Sequence, residues 1–496
     1  MAWVGHDDRV NGDSDRALAA ELADAVLAAD PASMSRLTAR LAALSGPGWL
    51  RLDGLARRPY WRQSQLDHVP DWRPFLAPDA ALAGLVAASM CRDGRIREAA
   101  VRVLSGVADP AAAAPLAVRV ADWVPEVAAA ARAAVSGRTG PGDAPVIIPV
   151  FLALSQRLRG RQAAARYLAD LAGGPVGTLE ALAVADDRAC RLWALEALAA
   201  RGVLTADVLV ARAVRDPDPV VALWCARALA GPSGELHAPA GLLLLGSARA
   251  GVRAFATGHL GAGQLPAQAL RDLLLDRSAA VRSVARWRWR QQHGDPGPVY
   301  RAALAGPGLA RHVAAALAGL DEDHDASLPD AAVPFLAHPS PRVRRAAAQA
   351  LARHSDPAVI VSHLVPLLRD TSAKVTTAAL RYLRAQALPA HVLADLDAAD
   401  SPRSRRIALS IRQQSGSWER VRADLAAMAD PDPHLAEAAR ADLLSWLQHG
   451  AATSYGRPSA SQAEQIAALL ATPRLSEHQQ REIAFVAGVP ATGITP

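Results

Sequence analysis

The chain has 496 residues, 51% of them hydrophobic, 21% charged and 4% aromatic. That apolar fraction excludes an intrinsically disordered protein, which lacks the surface to offset its ordering entropy. Three cysteines, Cys91, Cys190 and Cys225, exclude a disulfide scaffold and form no CxxC pair. Lys374 is the sole lysine among 54 basic side chains, a composition typical of a GC-rich bacterial genome, and the formal charge of +6 is modest for the length.

At the start, Met1-Ala-Trp-Val-Gly-His has no basic segment followed by an apolar one, so no export signal is expected. The longest apolar run, Ala144 to Leu154, is far short of the ~20 residues of a membrane helix. The expectation is a soluble, cytoplasmic protein with no membrane partner.

Residues 1–80 read as a helical N-terminal cap region. Positions 14–45 suggest a helical hairpin, its first helix capped by Asp13 or Ser14 and its turn marked by Asp30-Pro31. Positions 46–80 are broken by prolines and hold Trp49, Tyr60, Trp61 and Trp72, as an irregular cap over an exposed apolar end would.

Residues 81–450 repeat one pattern: an Asp near a turn, a branched apolar anchor, often an Arg directly after it, then an Ala-rich helix. Asp93/Ile96/Arg97, Asp276/Val281/Arg282, Val343/Arg344 and Asp400/Arg405 carry it. The anchors are Ile96, Val127, Leu158, Cys190, Val221, Val252, Val281, Ala310, Val343, Val375, Ser404 and Leu435, at a mean spacing of about 31 residues, the mark of a solenoid. From Val343 to Leu351 apolar residues recur at helical spacing, and shorter Leu-rich helices such as Leu204–Val214 precede the anchors. Asp216-Pro-Asp-Pro and Asp430-Pro-Asp-Pro are helix-start chemistry. Two repeats depart: Leu158-Arg159 lacks its Asp, and Ala310-Arg311 follows Gly306-Pro-Gly308. Residues 451–496 read as one helix near Ala460–Leu470 and a loose tail.

The repeated set resembles the HEAT-repeat (HEAT-like, armadillo-type) family. That resemblance implies an all-α fold: a right-handed α-solenoid of about twelve HEAT-like helical hairpins with an irregular N-terminal cap. It also implies that the anchor-plus-one arginines, Arg97, Arg159, Arg191, Arg253, Arg282, Arg311, Arg344 and Arg405, pair with turn acids of neighbouring units. The candidate acids are Asp93, Asp122, Asp187, Asp216, Asp276, Asp370 and Asp400.

Several chemistries are excluded. Lys374 sits in Thr-Ser-Ala-Lys with no glycines, so there is no P-loop, and no HExxH, GxSxG or strand-borne GxGxxG occurs. Asp321-Glu-Asp-His324-Asp325 has the residue types of a metal site but not the spacing of a calcium loop, and reads as a solvated acidic loop. Cys190 and Cys225 fall on core positions, as do Trp193 and Trp224, three residues after successive anchors. No catalytic residue, cofactor or metal is expected.

The surplus charge is local. Residues 271–422 hold 22 of the 54 basic side chains against 14 of the 48 acidic ones. Arg282, Arg286 and Arg290 share one helical face, with Trp287 and Trp289 interleaved, and Arg345 and Arg406 follow in later repeats. Arg282, Arg286, Trp287, Arg290, Arg345 and Arg406 are therefore the candidate partner-binding residues. The expected function is a non-enzymatic HEAT-repeat scaffold with a protein partner on its concave surface. The alternative is a nucleic-acid-binding HEAT-like protein, with Trp and Arg stacking on bases and contacting phosphates. One version of it is a DNA glycosylase of the alkylpurine type, because Trp49, Asp53 and Arg57 faintly resemble that family's lesion-binding side chains.

Overall fold

The computed structural model describes residues 7–56, 71–77, 79–261, 263–306, 308–386, 388–454, 456–471 and 475–490. Tyr60, Trp61 and Arg57 lie outside them. Among the described residues the fold is all-α, with helices packed neighbour to neighbour. Two isolated bridges, Ala230 with Leu236 and Leu236 with Leu260, are the only extended pairings there. The chain divides into two units, 1–261 and 262–496.

The first unit opens with α1 (Asp7–Leu27), α2 (Pro31–Ala42) and α3 (Gly46–Ala56). Asp13 and Ser14 lie inside α1, not at its cap, because the helix begins nearly two turns earlier, at Asp7. Asp30 does cap α2, accepting from the N–H groups of Ala32 and Ser33, with Pro31 at the first helical position. Positions 46–56 form a regular helix in place of the irregular segment expected. It packs on a later helix (Ala144–Leu154) so closely that a Cβ on Gly46 would sit 2.2 Å from the Pro149 backbone. Trp49 and Trp72 are buried as capping aromatics should be, and Trp72 meets Phe75 edge-on at 5.8 Å.

Helices then alternate in hairpins: α4 (Leu82–Met90) with α5 (Gly94–Gly106), and α6 (Ala113–Arg119) with α7 (Pro125–Ser136). Next come α8 (Ala144–Leu154) with α9 (Arg161–Ala172), and α10 (Val176–Leu182) with α11 (Arg188–Ala200). α12 (Ala206–Arg215) pairs with α13 (Pro219–Ala228), and α14 (Ala238–Leu245) with α15 (Ala250–His259). One apolar core runs from Leu18 to Ala256. The anchors Val127, Cys190, Val221 and Val252 are fully buried in it, while Trp193 and Trp224 pack on its margin. Leu158 is a misplaced anchor. It is 91% exposed in the turn between α8 and α9, and Arg159 beside it is exposed too.

The second unit continues the pattern with α16 (Ala267–Leu274), α17 (Ala279–His293), α18 (Gly297–Ala305) and α19 (Ala310–Glu322). It goes on with α20 (Leu328–Ala332), α21 (Pro341–His354), α22 (Pro357–Leu364), α23 (Ala373–Leu383), α24 (Ala390–Asp397) and α25 (Pro402–Arg412). α26 (Ser417–Ala427), α27 (Pro433–His449), α28 (Ala460–Leu470) and α29 (Glu477–Ala487) close it. Gly319 of α19 lies against Tyr300, where a Cβ would come within 2.5 Å of the ring. α28 falls where the sequence places it. The expected loose tail instead contains α29, which begins in a capping box of Ser476 and Gln479 and buries Ile483, Ala484 and Ala487. Its polar composition hid a short apolar face.

Candidate functional site: an arginine stitch and a basic helix face

Six of the anchor-plus-one arginines, Arg97, Arg191, Arg253, Arg282, Arg344 and Arg405, make one recurring arrangement. In each, Nη1 donates to turn carbonyls five or six residues back: Arg97 to Cys91 and Arg92, Arg191 to Ala185 and Asp186, Arg253 to Ser247. Arg282 does so to Asp276, Arg344 to His338 and Pro339, and Arg405 to Ala399 and Asp400. In several repeats the other prongs cross to the turn acid of the next repeat. Arg97 reaches Asp122 at 2.9 and 2.9 Å, Arg344 reaches Asp370 at 2.7 and 2.8 Å, and Arg405 reaches Asp430 at 2.7 and 2.9 Å. Arg191 approaches Asp216 at 3.8 Å. These acids also accept from the N–H two residues on, in Val124, Ser372, Asp432 and Asp218. The arginine thus ties two successive turns together, each carboxylate being shaped by its own backbone.

The ladder acids include Asp122, Asp216 and Asp370 of the expected set. Asp93 and Asp187 cap helices, accepting from Arg95 and Cys190 N–H groups. Asp430, not Asp400, serves Arg405. Arg159 and Arg311 are outside the ladder, both exposed. Arg311 starts α19 after a turn of Gly306 and Gly308 that supplies no acid.

The missing acid explains the basic face of α17. Arg282 pairs with Glu322, at the C-terminal end of α19, forty residues on. Arg286 pairs with the same carboxylate at 2.5 Å, and Arg290 pairs with Asp323. Arg301 reaches Asp325 at 2.6 Å and Arg353 reaches Asp321 at 2.5 Å. The run Asp321–Asp325 is therefore the counter-charge of an arginine cluster, not a solvated loop. Helix C-termini disfavour carboxylates, and these arginines offset that cost. Burial holds the Tyr300 phenol above its usual range, while the adjacent Arg286 pulls it the other way.

Each candidate residue now has a place. Arg282 and Arg286 are buried and Arg290 is half-exposed, all three in ion pairs. Trp289 is buried beside His293 at 4.4 Å, whereas Trp287 is 58% exposed. Arg345 is partly exposed and Arg406 exposed, with no acid paired to either among the described residues.

Trp49 is 2% exposed, so its ring is closed to a base. Asp53 is paired with Arg119, which also meets Asp122 at 3.1 Å, so the acid belongs to the first unit's buried network. Burial raises the Asp53 carboxyl, against the pull of Arg119. Cys190 and Cys225 are core thiols, pushed up by burial to about 12 and about 11.

A second buried acid was not evident in the sequence. Asp424 of α26 is fully buried, accepts from Gln413 at 2.7 Å, and lies beside Asp442 of α27, which Arg420 holds at 2.6 and 2.8 Å. Burial chiefly, with the Asp442 carboxylate, raises Asp424 to about 8. Among the described residues, no helix is long and apolar enough to cross a membrane.

No protein-family model matches the chain, and no curated protein does. Among solved structures, an engineered protein from a structural genomics consortium is 19% identical, covering 82% of this chain and 97% of its own, with a TM-score of 0.17. Kap121p is 12% identical, covering 92% of this chain and 50% of its own, with a TM-score of 0.25, so this chain spans half its length.

Proposed function

We propose that the protein is a non-enzymatic HEAT-like scaffold that holds a protein partner along the exposed faces of its second helices. The observation that carries this reading is the repetition of the stitch. Arg97, Arg191, Arg253, Arg282, Arg344 and Arg405 spend their charge on turn carbonyls and, in several repeats, on a neighbouring acid. Where the acid is present, at Asp122, Asp216, Asp370 and Asp430, one repeat is set at a fixed register to the next within its unit, which suits a shaped contact surface. The residue types that could do chemistry support it too. Asp53, the Asp321–Asp325 run and the thiols are each absorbed by packing or ion pairs. The family assignment, the protein class of the partner and a cytoplasmic setting belong to this proposal.

The test is affinity capture from the source cells with and without nuclease, followed by hydrogen exchange of the complex. The expected result is nuclease-resistant capture of a protein, with slowed exchange on second helices such as α21, α23 and α25. Release by nuclease would overturn it in favour of nucleic acid.

A further inference from the structure

Three successive second helices of the second unit, α21, α23 and α25, contain no Asp or Glu. Four of their arginines are spent on acids: Arg344 on Asp370, Arg353 on Asp321, Arg405 on Asp430 and Arg412 on Asp397. A second set makes no ion pair with a carboxylate among the described residues, although Arg403 is near enough to Asp370 to help lower it. Arg342, Lys374 and Arg403 each stand just before the anchor, and Arg345 and Arg406 stand two positions after it. Positions i and i+3 share a helix face, so equivalent register puts all five on one side. Adjacency is direct: α21 packs on α23, and Arg403 crosses from α25 to the Thr376 hydroxyl of α23 at 2.6 Å.

These cations occupy the first turns of their helices, where the backbone already presents positive charge. In the first unit equivalent helices neutralise that end with Asp93, Asp187 and Asp218 as caps. Here the caps are Ser340, Ser372 and Ser401, and none makes a side-chain capping bond. Three positive helix ends with added cations and no internal acid form a surface left for an anion.

We infer that this row binds an acidic protein segment in extended form, with a carboxylate at about every third residue. The inference rests on the scaffold reading and names its partner's chemistry. Neighbouring helices pack ~8–10 Å apart, and an extended chain advances ~3.3–3.6 Å per residue. One repeat therefore matches about two to three residues. The row carries no aromatic side chain, since Tyr382 is the only one on the three helices and lies at the far end of α23. Single-stranded nucleic acid takes much of its affinity from aromatic stacking, which this surface does not offer.

The test uses the full chain and fluorescein-labelled peptides by anisotropy. One peptide repeats the triplet Glu-Gly-Ser; another has the same composition with its Glu residues contiguous. Oligothymidylate and a short duplex of matched charge are the competitors. The triplet peptide should bind, weaken with salt and outcompete the contiguous peptide. The variant Arg342→Gln/Arg345→Gln/Arg406→Gln should bind it at least about tenfold less tightly, a loss of ~1.4 kcal/mol. Arg95→Gln/Arg132→Gln, exposed arginines of the first unit, should bind as wild type does. Should the triple variant unfold, Arg345→Gln alone must still weaken binding. Unchanged binding by a folded variant, no preference for triplet spacing, or stronger competition by either nucleic acid would overturn the inference. If the peptide fails but capture stays nuclease-resistant, the scaffold reading survives with a partner of other chemistry. If capture is also lost to nuclease, both fall.

Discussion

Arg97 and Asp122, twenty-five residues apart, form a two-pronged ion pair with both side chains fully excluded from solvent. Trp123 lies over the same guanidinium at 4.5 Å, and Arg119 shares the carboxylate. Removing Arg97 leaves the buried Asp122 with Arg119 alone, and a buried charge short of a partner costs far more than the intact pair contributes. Arg97→Ala should therefore destabilise the first unit by ~3–5 kcal/mol, read as a lowered urea midpoint with an unchanged slope. Arg97→Met with Asp122→Asn should recover much of that loss. A single variant with wild-type stability would show that the pair is solvated.

The same cut at Arg344 should cost less, because that pair keeps some solvent contact, with 14% of the arginine side chain and 6% of the Asp370 side chain exposed. Asp370 is held below the usual carboxylate range, first by Arg344 and also by the Ser372 N–H, against burial. A group so lowered adds stability above its unfolded value near 3.8 and loses it as pH falls through its folded value. The stability gap between wild type and Arg344→Ala should accordingly close on acidification below about pH 4. A gap that is constant from neutral to acid pH would show that the arginine acts by packing alone.

Glu322 neutralises both Arg282 and Arg286. Glu322→Gln leaves two largely buried guanidiniums short of a counter-charge, so the second unit should lose ~1.5–3 kcal/mol. Its affinity for polyanions at low salt should rise as well. A heparin-column salt step measures the second effect; elution at the wild-type position would mean that the two arginines stay sealed.

The repeat period and the inward role of its arginines were legible because a stitch needs a fixed residue type at a fixed place. Its partners were less so, because Arg405 takes carbonyls from its own turn and the acid from the next, making Asp430 the answer where Asp400 is nearer in sequence. Arg282, Arg286 and Arg290 were correctly read as one face. Their counter-ions were not, since pairing α17 with the end of α19 depends on a turn, Gly306–Gly308, that lacks its acid. Asp424 gave no signal at all: an Asp in the middle of a polar helix looks solvated until α27 covers it.

Burial accounts for the inertness expected of the thiols. Cys190 and Cys225 are fully buried, and burial chiefly holds them at about 12 and about 11, so little thiolate exists at neutral pH. Iodoacetamide at pH 8 should leave both unmodified in the native protein and label both in urea. Rapid native labelling of Cys190 would mean that α11 opens locally.

Asp424 gives a pH dependence of opposite sign to Asp370. Its folded value is raised from 3.8 to about 8, by burial first and then by the Asp442 carboxylate, with Gln413 and Arg420 pulling down. Below about pH 4 it is protonated whether folded or unfolded, and its contribution is fully present. Between about 4 and 8 the unfolded chain releases the proton while the native state keeps it. Stability should fall through that window by up to ~1.4 kcal/mol per pH unit, and level off above it. Asn has the shape of the protonated acid and does not titrate, so Asp424→Asn should remove the decline and exceed wild type in stability at pH 8. Its amide still meets Asp442, now as a permanent donor. Denaturant melts of both proteins from pH 5 to 8 measure the difference. Parallel curves would mean that Asp424 is ionised in the native state, with Arg420 carrying both carboxylates.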